Sequence, residues 1–305
     1  MHVSHTVAAL VALMTTLVTA PTNAAQPTTV PARKARIMPE KETLSFAYGR
    51  MRVVQYKFDG VPFKPYVSQL RSPAGVNVLL DSPEDHKHHH GLMFGVGANG
   101  VDFWAETPEC GKQIPQMMKF QADLLEFGTP LLWKDAKDQA ILAEDRMLRL
   151  HPTPGVTLMS WTSTLSPKPG GQAVKLTGSH YFGLGMRFIR SMDKSGKWIT
   201  PGGKLGAVVR GDERLTPGKW CAYAAQADGK EVTVAMFDSP KNIRPALWFT
   251  MADPFAYVSA TINLWKEPLE LKEPTTLRYG IAVWDGEIDA EQIEAMWAQW
   301  SKMQE

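Results

Sequence analysis

Val54-Gln-Tyr-Lys-Phe58, followed at once by Asp59-Gly60, decides the fold class. In an extended chain Val54, Tyr56 and Phe58 fall on one side and Gln55 and Lys57 on the other, the period-two pattern of a strand with one buried face. Asp-Gly accepts the backbone of a tight reversal, so the stretch reads as a strand running into a turn. The same alternation recurs over residues 76–80, 92–96, 156–165, 232–237, 258–264 and 277–283. Turn chemistry separates the runs: Pro152-Thr-Pro-Gly155, Pro167-Lys-Pro-Gly-Gly171, Thr200-Pro-Gly-Gly203, Asp228-Gly229 and Asp285-Gly286. Many short strands between Gly/Pro turns predict an all-β sandwich or barrel, not alternating βαβ units. Residues 113–127 fit either a strand or a short helix.

The C-terminus breaks this pattern. Asp289 and Gln292 form a capping pair, and Ile293, Met296, Trp297, Trp300 and Met303 recur at helical spacing. An amphipathic helix over about 289–304, laid against a sheet, is expected.

The N-terminus reads as a leader. Residues 7–20 are apolar and uncharged and are followed by Pro21-Thr-Asn-Ala-Ala25, which suits cleavage after Ala24 or Ala25. The run is too short for a membrane span, and no later stretch reaches the ~18 apolar residues that would make one. Residues 26–40 lack periodicity and contain Pro27, Pro31 and Pro39, which predicts a flexible lead-in to a single domain over 41–305. The mature protein is expected in the periplasm or outside the cell. There the cysteines, Cys110 and Cys221, either pair or remain buried thiols. The net charge is +2 with no basic stripe, which argues against nucleic acid as a partner.

Of the chain's 8 histidines, His86, His88, His89 and His90 stand together in Asp85-His-Lys-His-His-His-Gly91. If this stretch is extended, His86, His88 and His90 share one face and His89 takes the other. His88 and His90 then form a candidate pair for a divalent metal ion. The same imidazoles could instead serve as general acid and base, or bind a polar ligand directly. Nearby Asp102 and Glu106 offer carboxylates. Ser179-His-Tyr-Phe-Gly-Leu-Gly-Met-Arg-Phe188 reads as a strand with Phe182, Leu184, Met186 and Phe188 inward. Tyr181, Gly183, Gly185 and Arg187 face the other way, either as an open floor for a ligand or as tight sheet packing. Tyr66 and Arg71, and Asn242 and Arg244 in the proline-bounded loop 238–245, complete the candidates for substrate contact.

Several of these motifs resemble the PmoA-like family of secreted bacterial proteins. Pro65-Tyr66, Leu70-Arg-Ser-Pro-Ala-Gly75, Asp85-His-x-His-His-x-Gly91 and Asn99-Gly-Val-Asp-Phe-Trp104 carry the resemblance, with weaker likeness in loop 238–245 and in Leu277-Arg-Tyr279 with Asp285-Gly286. It spans the chain from about Tyr48 onward. The family's name points to a methane oxygenase subunit, a multi-span membrane protein, which the absence of later apolar runs contradicts. The resemblance implies a large antiparallel β-sandwich akin to the galactose-mutarotase folds, or a jelly-roll-like one, acting on a glycoside or keto-sugar by hydrolysis, elimination or epimerisation. The expected catalytic set is His86, His88, His89, Glu106, His180 and Arg187, with Tyr66, Arg71, Tyr181, Asn242 and Arg244 holding a carbohydrate or another small polar substrate. A non-catalytic glycan-binding or metal-binding envelope protein is the alternative.

Overall fold

The computed structural model describes residues 34–167 and 171–304, together with Met1. The expected leader and residues 26–33 of the lead-in lie outside the described residues. Ala35–Pro39 is not a lead-in but an edge strand, paired antiparallel with Thr43–Tyr48. Ala35 and Ile37 rest against the core while Arg36 stays exposed, a short alternation that the flanking prolines obscure in the sequence.

Two large antiparallel sheets face each other. The first has ten strands and runs from Ala35–Pro39 at one edge, through Tyr66–Leu70, Leu92–Gly95, Gly183–Arg187 and Tyr257–Thr261, to Ala207–Arg210 at the other. The second has nine and centres on Ala140–Thr153, Val156–Pro167, Thr275–Asp285 and Lys230–Asp238. A smaller sheet joins Leu269–Leu271, Val174–Thr177, Gly97–Ala98 and Val101–Asp102. Phe46 stacks on Phe127 at 5.0 Å, and Phe188 lies 5.3 Å from Tyr223, so rings from the two sheets interleave. The expected all-β sandwich is therefore observed.

Most predicted strands appear within a few residues of their expected ends. The Met51–Lys57 strand buries Val54 and Tyr56, although its partner Tyr66–Leu70 follows a loop rather than a two-residue turn. Residues 76–80 form only isolated bridges, Arg71 to Asn77 and Leu79 to Phe188. Residues 113–127 hold strands, Lys112–Pro115 and Lys119–Gln121, and the start of Glu126–Lys134.

The C-terminal helix, Ala290–Lys302, begins at the Asp289–Gln292 capping box. It buries Ile293 and Trp300 on the outer face of the second sheet, against Leu158, Phe237 and Ala282. That sheet is thus covered on both faces, with Met159, Trp161, Ile281 and Val283 turned to the inner core. Cys110 and Cys221 are both free and buried, so the thiol reading holds. Cys110 lies 3.3 Å from the Thr107 hydroxyl, whereas Cys221 is in the Trp220–Ala227 strand, where burial pushes its thiol pKa up.

A charged pair sits inside this apolar frame. Arg146 and Glu144 are both fully buried at 2.8 Å, in the Ala140–Thr153 strand. Arg146 also donates to Gln113 Oε1 at 2.7 Å and to the Pro65 carbonyl at 2.9 Å, while Trp133 and Ser163 donate to Glu144 at 2.9 and 2.6 Å. Replacing one member of such a pair strands the other charge without its partner, at a cost of roughly 3–5 kcal/mol. Glu144→Gln should therefore lower the unfolding free energy by that amount, seen as a lower denaturation midpoint with an unchanged denaturant slope; a loss below about 1 kcal/mol in a chemical melt contradicts this account.

Candidate functional site

The histidine segment leaves the sheet as two successive turns. His86 N–H donates to the Pro83 carbonyl at 3.0 Å and His89 N–H to the His86 carbonyl at 2.9 Å. Ser82 closes the loop, its N–H donating to the His89 carbonyl at 2.8 Å and its hydroxyl to the Lys87 carbonyl at 2.7 Å. Pro83 and the left-handed Ser82 (φ 49°) break the extended run, so the expected alternation of His86, His88 and His90 on one face does not form. Gly91 ends the loop at φ +27°, where a Cβ would lie 2.2 Å from the Val67 carbonyl oxygen.

These turns send the four rings to different places. His86 stacks on His89 at 4.7 Å, and His89 stacks in turn on Tyr257 at 5.2 Å. His88 stands edge-on to Trp104 at 4.9 Å. His90 turns into a set of charges. Its Nδ1 lies 2.8 Å from Asp81 Oδ1 and its Nε2 3.2 Å from Glu106 Oε2, while Tyr66 stacks on its ring at 4.3 Å and donates its hydroxyl to Asp81 Oδ2 at 2.8 Å. The buried Lys64 closes the series, 2.6 Å from Glu106 Oε1.

Environment separates the protonation states of these groups. Burial opposes charge on His90, but the hydrogen bonds to Asp81 and Glu106 outweigh it and raise its pKa above the ordinary histidine value. Burial likewise opposes charge on Glu106, and the bonds from His90 and Lys64 outweigh it, holding the carboxyl below its usual range. Burial, followed by the neighbouring His88 and His86, pushes His89 down to about 2. His88 is also lowered, by burial first and then by Lys64 and His86. His88 is therefore a neutral, part-buried base beside a charged, doubly held His90.

Two cavities meet at His88. One, of about 480 Å³, is bordered by Tyr66, Asp81, Lys87, His90 and Glu106. The other, of about 230 Å³, is walled by His89, Trp104, Tyr181, Phe255 and Tyr257, with Arg210 and Glu213 at its polar side. Glu213 accepts from Arg210 at 2.6 Å and lies 3.1 Å from His180 Nε2. Among the described residues His89 Nδ1 has no hydrogen-bond partner, and the Trp104 indole and the Tyr257 hydroxyl have none beyond each other; all three atoms are shielded from solvent, the hydroxyl against Gly185. What this cavity presents to a ligand is therefore its ring faces, the edge of His88 and the polar pair of Arg210 and Glu213.

Of the expected residues, Tyr66, His86, His88, His89, Glu106 and Tyr181 border the cavities, and His180 joins them through Glu213. Arg187 does not. It is buried, bonded to Asp193 at 2.9 Å and to the Ala256 carbonyl at 3.1 Å, and lies against Phe255 at 4.3 Å, supporting the cavity wall from behind. The glycines beside it are packing glycines, not a ligand floor, since a Cβ on Gly185 would fall 1.8 Å from the Tyr257 hydroxyl. Arg71 bonds Gln69 and the Gly75 carbonyl, and Asn242 bonds Asp238 and the Arg278 backbone, so both hold local loops. Arg244 caps carbonyls at Ile262, Glu267 and Pro268. Asp102 accepts from the Trp104 and Ala105 N–H groups at 2.6 and 3.0 Å and orients the indole. His88 and His90 do not form a ligand pair, because both nitrogens of His90 face carboxylates; among the described residues no group of three or more His, Cys, Asp or Glu is set to hold a metal.

Sequence reasoning did not single out Asp81, Lys64, Tyr257, Phe255 or Glu213. Trp104 was within reach, since it closes the Asn99–Trp104 motif. Among the described residues no helix is long and apolar enough to cross a membrane.

An all-β sandwich with a histidine-lined double cavity on the outer face of its first sheet is the class this chain defines. It belongs to a family of unknown function, DUF6807, which matches residues 42–298. A search of curated proteins by sequence finds no match. Among solved structures, the chain is similar to a GH36 α-galactosidase from Geobacillus stearothermophilus (TM-score 0.42, 10% identity, covering 83% of this chain and 41% of that one). It is also similar to a putative aldose 1-epimerase from Klebsiella pneumoniae (TM-score 0.42, 11% identity, 86% and 81%) and to a galactose mutarotase related enzyme from Lactobacillus acidophilus (0.39, 6%, 84% and 99%). The chain thus spans about two fifths of the α-galactosidase.

The two central histidines should titrate in opposite senses. His90, with its folded pKa above the unfolded ~6.5, contributes stability that is present below that pH and lost as pH rises through the folded value. His89, depressed to about 2, contributes stability that is present above ~6.5 and lost as pH falls below it. In ¹⁵N spectra of the imidazoles, His89 should remain neutral from pH 8 to pH 4 while His90 stays charged past ~6.5. A His89 midpoint near 6 would contradict the assignment.

Proposed function

We propose that this protein is a carbohydrate-directed enzyme that moves a proton on a glycoside or keto-sugar, with His88 as the base. The observation that carries the reading is an aromatic-walled cavity, with Arg210 and Glu213 at its polar side, that opens beside the part-buried His88. A sugar ring offers an apolar C–H face for stacking and hydroxyls at its edge, which matches such walls and such a polar side.

The charge pattern favours elimination or epimerisation over hydrolysis. Glycoside hydrolysis by a carboxyl pair needs one member held protonated. Glu106 is held ionised by His90 and Lys64 instead, and Asp81 and Glu213 spend their oxygens on Tyr66 and His90 and on His180 and Arg210. A neutral imidazole is suited to taking the proton from a carbon next to a carbonyl. The C–H electron pair then passes to the carbonyl oxygen as an enolate, whose charge the Arg210 guanidinium at the polar side of the cavity can stabilise. A water that protonates the enolate carbon from the opposite face, while His88 gives its proton to solvent, yields the epimer. Expelling the glycosidic oxygen from the adjoining carbon, with the proton delivered to it by His88, gives elimination. The apolar run at residues 7–20 and the small residues after it support export to the periplasm or beyond as the place of action.

The test is turnover and solvent deuterium incorporation on a panel of glycosides and 3-keto-glycosides, followed by NMR. His88→Ala should lower turnover by roughly 10²–10⁴-fold with ligand binding retained. Trp104→Ala should weaken binding itself. Full turnover by His88→Ala overturns the role of His88. Binding without any turnover or exchange in the wild type identifies a glycan-binding protein, and no binding across the panel removes the sugar reading.

A further inference from the structure

Beyond the cavity, a line of rings continues to the surface. Trp104 meets Tyr181 at 4.8 Å, Tyr181 meets His180 at 5.0 Å, and His180 meets Trp265 at 5.5 Å. The inner members are buried or part-buried, whereas Trp265 is 44% exposed. An exposed indole alone is ordinary; one placed in series with a cavity wall and held there is not.

The backbone around Trp265 is fixed. Asn263 is left-handed at φ 58°, and its carbonyl accepts from the Lys266 and Glu267 N–H groups at 3.2 and 2.9 Å. Arg244 ties this turn to the body of the protein, donating to the carbonyls of Ile262 at 3.4 Å, Pro268 at 3.3 Å and Glu267. On its inner side the indole faces His180, which Glu213 positions at 3.1 Å. Lys266 Nζ lies 5.0 Å from the indole ring, so part of the ring has a local partner and the rest faces solvent.

We infer that Trp265 is an outer subsite and that the ligand is at least two rings long. This rests on the sugar reading of the inner cavity. The reacting sugar occupies the cavity beside His88, and the next ring, a second pyranose or an aromatic aglycone, stacks on Trp265. Arg244 is a positioning residue for this subsite and does not touch the ligand.

The experiment compares one-ring and two-ring ligands by calorimetry on the full chain. Methyl glucoside and methyl galactoside are set against cellobiose and lactose, and against the 4-nitrophenyl glycosides of the same sugars. The wild type should prefer the two-ring ligands, and Trp265→Ala should reduce the ratio of two-ring to one-ring affinity by roughly 3- to 10-fold, the range expected for one aromatic stack. Trp265→Phe should restore most of it. Loss of the preference for disaccharides alone identifies a second pyranose, and loss for nitrophenyl glycosides alone identifies an aglycone. An equal ratio in wild type and Trp265→Ala, or no preference for two rings in the wild type, overturns the outer subsite while leaving the inner cavity intact. If the wild type binds none of these sugars, the sugar reading falls and the subsite with it.

Discussion

The buried pair of Arg146 and Glu144 is the constraint on which the site depends. Two charges inside an apolar sandwich add little stability of themselves, because desolvation offsets most of their attraction. Their value here is positional. The guanidinium reaches out of the second sheet to the Pro65 carbonyl, and Pro65 lies between Lys64 and Tyr66. Lys64 bonds Glu106 and Tyr66 bonds Asp81, so one buried cation sets the place from which both carboxylates are aimed at His90. Gln113 adds a second tie. It accepts from Arg146 at 2.7 Å and donates to the Phe94 carbonyl, in the first-sheet strand that follows the histidine loop, at 2.8 Å.

That framework explains why adjacent histidines have different chemistry. His90 is enclosed by two acids and a lysine, with both of its nitrogens engaged, and acts as the anchor of its loop. His89 faces rings and the cation Arg187 and can only remain neutral. His88, between them, is part-buried and borders both cavities. A base needs its lone pair free and its pKa low enough to leave it unprotonated, and of these three His88 combines those conditions with access to a ligand.

Much of the architecture was legible in the sequence because strand alternation and helix capping are local signals. The 54–58 alternation and the Asp289–Gln292 pair needed no tertiary information. The site was less legible. The histidines were visible as a cluster, but their directions depend on Pro83, Ser82 and the closure of the loop onto His89, and an extended reading misplaces every second ring. Alternation gives the face of the strand that carries Arg187 but not what covers it, and the guanidinium is engaged behind the cavity wall. That face is not open, because Tyr257 covers Gly185 and Asp193 meets the guanidinium. Asp81 and Tyr257 gave no sequence signal at all, since one ends an unremarkable apolar run and the other reads as a core strand residue.

The unpaired atoms are best understood against that background of satisfied charge. Asp81, His90, Glu106, Lys64, Glu213 and Arg210 all have partners within hydrogen-bonding distance, and so do the buried Arg146 and Glu144. Uncharged atoms are treated less strictly: His89 Nδ1 is left without a partner in the wall of the second cavity, and so are Ser45 Oγ, Thr250 Oγ1 and Ser259 Oγ within the first sheet. Each such group carries a desolvation cost of about 1–3 kcal/mol. Because these atoms are shielded by tight packing, the wall offers a ligand its ring faces, and the polar groups it can reach are His88, Arg210 and Glu213. A wall of rings with one ion pair at its edge selects first by shape and then by where a ligand places its polar groups, which suits the proposed neutral sugar better than a simple anion.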